Sequence, residues 1–330
     1  MDIDGTLVGD DLVIGPDTRS AVRAARARGV VVTLVTGRMV SSAMRFAREL
    51  DLDAPIVGYQ GGLIRAMPEP GSDRLGRLLH HTPLSAEAAR EVVRWTRANG
   101  LDPHLNHLER FILRADDPKA DDYSAFMGAH AEMAPDLLSA ITHPITKVLA
   151  VAEPPRPTEV APAAREHFAG IADVTISHPR FLEFVAPGVS KGRAIRWLAR
   201  RFGIPLGAVL AIGDQWNDVE MLAEVGHGAA MPTAPVGVRA AARYVAPPIA
   251  DGGVARVIEG LVLGGPADVR ATSERWQVAA EAAAEQAAAE LTVEAEAAQA
   301  TGGEDPGHSG AADPEETGDP MRPARSRVTA

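Results

Sequence analysis

Residues 30–35, Val-Val-Val-Thr-Leu-Val, form an unbroken run dominated by β-branched side chains, the pattern of a strand buried on both faces of a parallel sheet. On either side, apolar positions recur at helical spacing over 17–28 and 41–50. The first helix is opened by Pro16 and Asp17 and closed by Gly29. A short apolar stretch at 55–59 reads as the next strand. The same rhythm returns later, with a strand at 208–212, a helix at 218–225 and a strand at 229–231. Strands and helices alternating at these lengths predict an α/β fold built on a doubly wound parallel sheet.

The middle of the chain has a different texture. Strand patterns at 78–83, 101–105, 110–114, 146–152, 173–177 and 181–185 cluster together, with helical patterns at 86–99, 119–130 and 157–168 between them. This predicts a separate α+β unit inserted into the first. Gly71-Ser72-Asp73 and Pro187-Gly188 are the expected crossings, so residues 1–70 and 187–265 would form the core and 71–186 the insertion. Beyond these, 273–300 is nearly all Ala, Glu and Gln and predicts a helix with little to bury. Residues 301–330 are rich in Gly, Pro, Asp, Glu and Arg and predict disorder, so 266–330 reads as a solvated acidic tail without chemistry.

Composition narrows the function. A length of 330 residues suits about two domains. Of the net charge of −11, −8 falls in 266–330, leaving only −3 on the body. A near-neutral body with an acidic tail offers no footprint for nucleic acid or an anionic membrane. The absence of Cys excludes disulfides, thiolate metal sites and a cysteine nucleophile, and fits a reducing cytoplasm. No apolar run approaches the length of a membrane span. Only three of the 33 basic residues are lysines, Lys119, Lys147 and Lys191. A lysine kept against such a bias is a candidate for chemistry that needs a compact ammonium.

Four segments could carry that chemistry. Asp2-Ile3-Asp4-Gly5-Thr6-Leu7 sets two carboxylates at alternate positions before a turn, able to divide nucleophilic and proton-transfer work. Read alone, it is also an ordinary acidic turn. Val35-Thr36-Gly37-Arg38 places a hydroxyl and free N–H groups at a strand-to-helix junction, an anion pocket or a plain loop. Gly188-Val189-Ser190-Lys191-Gly192 precedes a helix over 193–202 and contains one of the rare lysines. Gly213-Asp214-Gln215-Trp216-Asn217-Asp218 concentrates hard oxygen donors where Mg²⁺ binds, though an N-capping turn explains it equally well. In this order, each at the carboxyl end of an expected strand, the four converge on one crevice. Several carboxylates, one lysine, one hydroxyl and no thiolate suit Mg²⁺-assisted phosphoryl transfer.

In these four motifs the chain resembles the haloacid dehalogenase-like hydrolases, specifically the Cof-type phosphatases, over roughly residues 2–262. Tyr59-Gln60-Gly61-Gly62, Ala230-Met231-Pro232-Thr233-Ala234 and Asp251-Gly252-Gly253-Val254 extend the likeness. The resemblance implies a Rossmann-like core with a large inserted α+β cap and an aspartyl-phosphate mechanism. Asp2 would be the nucleophile and Asp4 the acid–base, with Thr36, Gly37, Lys191 and Asn217 on the phosphoryl oxygens. Asp2, the backbone carbonyl of Asp4, and Asp214 would bind Mg²⁺, supported by Asp218. The implied partner is a small phosphorylated metabolite, with the oligomeric state left open. A phosphomutase, or a non-catalytic phosphate binder, would use the same residues.

Three departures from the family pattern stand out. Gln60 replaces the usual Asn, Pro232-Thr233 replaces the usual Gly-Asn, and only Met1 precedes the first Asp where the family has a buried strand. The expectation is therefore of a start placed downstream of the true one, with an inactive truncated protein as the alternative, and of a better enzyme when extended upstream by about six apolar residues. Among the remaining residues, His104 and His107 have no evident metal partners and read as substrate-facing or surface groups. Trp95 and Trp197 read as core, and Trp216 as a side chain beside the crevice.

Overall fold

The computed structural model describes residues 1–264 except 73, 118–119, 121–122 and 125–129. The expected helix at 273–300, the acidic tail, Lys119 and most of the expected helix at 119–130 lie outside the described residues. None of the described helices is long and apolar enough to cross a membrane.

Three sheets organise the described chain. Strands β1 (Ile56–Gly58), β2 (Leu63–Arg65) and β3 (Leu78–His81) form an antiparallel sheet. Strands β4 (Asp102–His107), β5 (Arg110–Arg114), β6 (Ala131–Ala134), β7 (Lys147–Val151), β8 (Asp173–His178) and β9 (Phe181–Val185) form a six-stranded sheet in the order β6-β5-β4-β7-β9-β8. Strands β10 (Leu210–Gly213), β11 (His227–Ala230) and β12 (Tyr244–Val245) run parallel.

Two short extended segments join the first and third sheets. Val57 donates to the Leu34 carbonyl, and Thr36 to that of Val57. Val35 donates to the Met1 carbonyl, while the Met1 ammonium donates to that of Thr33 at 3.0 Å. Asp2 in turn donates to Ile212 at 2.9 Å. One ladder therefore runs β3-β2-β1, then 33–36, then 1–3, then β10-β11-β12, which puts Asp2 near its centre.

Alternation explains why this layer is wound on both sides. Leu34, Ile56, Ile212 and Ala229 face one apolar cluster with the helices Pro16–Ala27, Val40–Glu49 and Gly253–Ile258. Their chain neighbours Val35, Val57, Ala211 and Ala230 face another, with Lys191–Phe202, Val219–Glu224 and Val236–Ala241. The result is a mixed α/β fold with parallel strands at its centre. Its expected strand at 30–35 is shorter than the sequence pattern suggests. Residues 30–32 find no ladder partner among the described residues, and Val30 and Val31 are 38% and 39% exposed. β-Branched composition marks extended backbone there but cannot supply a neighbouring strand.

The six-stranded sheet packs one face on its own helices Ala86–Ala98 and Arg156–His167, through Leu105, Val148 and Ala150. Its other face carries Lys147, Leu149 and Glu183 toward the crevice described next.

Candidate active site

Asp2 ends the central segment, and the chain turns at once. The Ile3 carbonyl accepts from Thr6, Leu7 and Val8, folding 3–8 into a tight loop. Gly5 sits in this loop at φ +71°, and a Cβ there would lie 2.3 Å from Asp214 Oδ2. Only glycine permits both the left-handed backbone and that approach. Thr6 Oγ1 then donates to Asp214 Oδ1 at 2.8 Å, tying the first motif to the fourth.

The helix Lys191–Phe202 begins beneath this loop. Ser190 Oγ accepts from Arg193 N at its start, and Gly203 closes it in a left-handed turn. Lys191 is completely buried, with Nζ 2.9 Å from Asp2 Oδ1 and 2.6 Å from Asp218 Oδ1. The other Asp218 oxygen accepts from the backbone of Asp214 at 2.9 Å and Gln215 at 3.0 Å. Asp218 thereby accepts from one ammonium and two amides, and acts as a bracket for Lys191 and the Asp214 loop.

Negative charge is in excess here. Burial pushes the Asp2 carboxyl well above the usual range. The charges of Asp218, Asp214 and Asp4 push the same way, against Lys191. Asp214 is raised to about 7, first by burial and then by Asp218, with the Thr6 hydrogen bond opposing. Burial works against the Lys191 charge, but Asp2 and Asp218 outweigh it and hold the ammonium above its ordinary value. The Met1 amino group is lowered to about 6 by burial. Oxygens of Asp2, Asp214 and Asp218 lie within 4.8 Å of one another. Hard carboxylate donors left under-neutralised in this way fit a divalent cation such as Mg²⁺.

The remaining predicted residues close around the same space. Thr36 Oγ1 accepts from Arg38 N at 3.1 Å, ordering the loop through Gly37. Gln60 lies against Gly37 and accepts from Asn217 Nδ2 at 2.8 Å. Asp2, Asp4, Thr36, Gly37, Asp214 and Asn217 line a cavity of about 380 Å³, while Lys191 and Asp218 lie directly beneath it. Trp216, by contrast, does not line the cavity as expected. Gln215 and Asn217 on either side do, and the half-exposed indole rests on Gly237 of a neighbouring helix.

Sequence reasoning missed several contacts. Arg38 grips Asp4, although the motif containing it was recognised only for Thr36 and Gly37. Lys147 on β7 pairs with Glu183 on β9 at 2.9 Å, both buried, and donates to the Gly37 carbonyl at 2.8 Å. The scarcity of lysine that flagged Lys191 applied equally to Lys147. His104 is not a surface or substrate-facing group. It is buried between Asp102 and Asp117, neighbours that a two-histidine spacing could not reveal.

A doubly wound α/β layer whose strand ends gather carboxylates, a buried lysine and an anion-ready loop defines a Rossmann-like enzyme class. The chain belongs to the haloacid dehalogenase-like hydrolases, whose family model matches residues 1–258. It is 30% identical to an HMP-PP phosphatase of Serratia proteamaculans, over 70% of this chain and 82% of that protein. It is 26% identical to a 5-amino-6-(5-phospho-D-ribitylamino)uracil phosphatase of Bacillus subtilis, over 78% of this chain and 95% of the relative. A crystal structure of a haloacid dehalogenase-like hydrolase from Bacteroides thetaiotaomicron superposes with a TM-score of 0.67 at 26% identity, covering 78% of this chain and 96% of that one.

Proposed function

We propose that this chain is a Mg²⁺-dependent phosphatase that hydrolyses a small phosphorylated metabolite through an aspartyl-phosphate on Asp2. The observation that carries the reading is the Asp2 carboxylate, set on the floor of the cavity between Lys191 and the Asp214 loop. Membership of the hydrolase family and the phosphatase relatives support the class of reaction, that of a phosphoric monoester hydrolase.

Asp2 attacks phosphorus, forming a bond from its carboxylate oxygen as the ester oxygen departs. Asp4 gives that oxygen a proton, then takes one from the water that cleaves the acyl phosphate. Thr36, the Gly37 amide, Asn217 and Lys191 hold the phosphoryl oxygens, where each charged contact is typically worth a few kcal/mol at the transition state. Asp2, the Asp4 carbonyl and Asp214 would hold Mg²⁺, with Asp218 in support through Lys191 and the loop. Bound there, the ion neutralises carboxylate and phosphate charge that would otherwise repel.

In this reading residues 71–186 act as a cap, and Ser177, His178 and Phe181 above the cavity select the substrate. The volume of about 380 Å³ suits a metabolite. Phosphate release from a panel of sugar phosphates and phosphorylated cofactor precursors, with Mg²⁺ or with chelator, tests the proposal. Release that needs Mg²⁺ and falls by several orders of magnitude in Asp2→Asn is expected. No release from the wild type, or more than about a tenth retained in Asp2→Asn, sinks it.

A further inference from the structure

A second cluster of ligating side chains lies on the six-stranded sheet, apart from the residues that line the candidate active site. Asp102 and His104 stand two residues apart on β4 and so share one face of it. Asp117 follows the end of β5 and returns to the same place. His104 is only 1% exposed, yet neither of its ring nitrogens has a hydrogen-bond partner. Such a group is costly to leave unsatisfied, on the order of 1 to 3 kcal/mol.

The distances say what would satisfy it. His104 Nε2 lies 3.6 Å from Asp102 Oδ2 and 3.7 Å from Asp117 Oδ2. A charge-assisted N–H···O bond closes to about 2.7 to 2.9 Å, so neither approach is one. Two donors sharing a tetrahedral ion at about 2.1 Å stand about 3.4 Å apart, close to both separations. One ligand atom from each of the three residues falls within 4.8 Å of the other two. The His104 ring is held edge-on by Tyr123 at 4.5 Å and Phe111 at 5.6 Å between centroids, which fixes the direction of Nε2.

We propose that Asp102, His104 and Asp117 form a binding site for a divalent transition-metal ion, one that ties the turn after β5 to β4. One imidazole and two carboxylates favour Zn²⁺, Co²⁺ or Mn²⁺ over the all-oxygen ions Mg²⁺ and Ca²⁺. A cleft lined by Asp102, Asp117 and Tyr123 opens beside the three ligands and gives the ion an entry path and a fourth position for water. The site is independent of the proposed phosphatase chemistry.

The test uses the full chain, stripped with chelator and dialysed against excess Mg²⁺ with a small supply of Zn²⁺ or Co²⁺. Bound metal is counted by mass spectrometry, and Co²⁺ is followed by its visible d–d absorption. Wild type and Asp214→Asn, which removes a ligand of the other site, are each expected to retain about one Zn²⁺ or Co²⁺ per chain. His104→Asn is expected to lose it, and Asp102→Asn to weaken it at least about tenfold. Asp102 is the more exposed ligand, so its variant decides the matter if His104→Asn fails to fold. Absence of Zn²⁺ from wild type would mean a histidine merely enclosed by two carboxylates, and would overturn the site. Stoichiometry and affinity unchanged in Asp102→Asn, or loss of all transition metal in Asp214→Asn, would overturn it equally.

Discussion

Arg38 holds Asp4 by both carboxylate oxygens, with Nε 2.6 Å from Oδ2 and Nη2 2.5 Å from Oδ1. The planar guanidinium matches the carboxylate fork and fixes its plane as well as its position. Asp4 is half-exposed, so this grip is its main restraint at the cavity mouth.

Arg38→Met should therefore lower kcat by about ten- to a hundredfold, since a misplacement near 1 Å of an acid–base group has that scale of effect. The melting temperature should fall only modestly, because the Asp4 end of the pair is half-exposed and Met keeps an apolar stem against Phe46. Unchanged kcat in steady-state phosphate release would show that Asp4 needs no clamp.

Lys191→Met should be severe in both stability and turnover. It leaves Asp2 and Asp218 facing each other across a buried space, at a typical cost of about 3 to 5 kcal/mol. Lys191→Arg keeps the charge but forces a larger, forked head into a space with no exposure, and should also lose most activity. Urea unfolding and phosphate release on both variants give the comparison. A fully active Lys191→Arg would remove the lysine from the site.

Lys147 and Glu183 invite a double-mutant cycle. Lys147→Met alone leaves a buried carboxylate uncompensated and should destabilise by about 3 to 5 kcal/mol. Adding Glu183→Gln should recover much of that loss, because the remaining pair carries no charge. Additive effects in urea unfolding would mean that the two side chains do not depend on each other.

Metal binding should depend on pH with a defined sign. Without metal, Asp214 holds its proton up to about 7, against 3.8 for an ordinary Asp. Its raised value favours folding below the unfolded value, and that contribution is lost as pH rises through about 7. Mg²⁺ competes with the proton, so its increment in melting temperature should be small near about pH 5 and larger near about pH 8. An increment equal at both values would argue against Asp214 as a ligand.

Much of the site's location was legible in the chain. Asp2, Asp4, Thr36, Gly37, Asp214, Asn217 and Asp218 come together because they follow extended segments of one layer, and such strand ends are readable from apolar runs, whereas Lys191 arrives on the helix that follows β9 of the six-stranded sheet. What pattern cannot show is which side chain reaches which atom. Lys147 meets the Gly37 carbonyl across 110 positions of sequence, through a register among β4, β7 and β9 that no local signal encodes. The burial of His104 has the same origin, since Asp117 returns to it only through the β4–β5 pairing. The strand at 30–35 fell short for a complementary reason: its side chains announce a strand, but pairing depends on neighbours elsewhere in the chain.

Both lysines among the described residues are buried inside the protein. Over the described residues, the folded surface thus offers no exposed lysine amine to an acylating reagent, although arginines are plentiful. Acylation of Lys147 or Lys191 must wait for the structure to open around it. Peptide mapping after timed exposure to such a reagent would then act as a clock for two separate openings. Modification at Lys191 would record release of the Asp2–Asp218 bracket, and at Lys147 parting of the six-stranded sheet from the Gly37 loop.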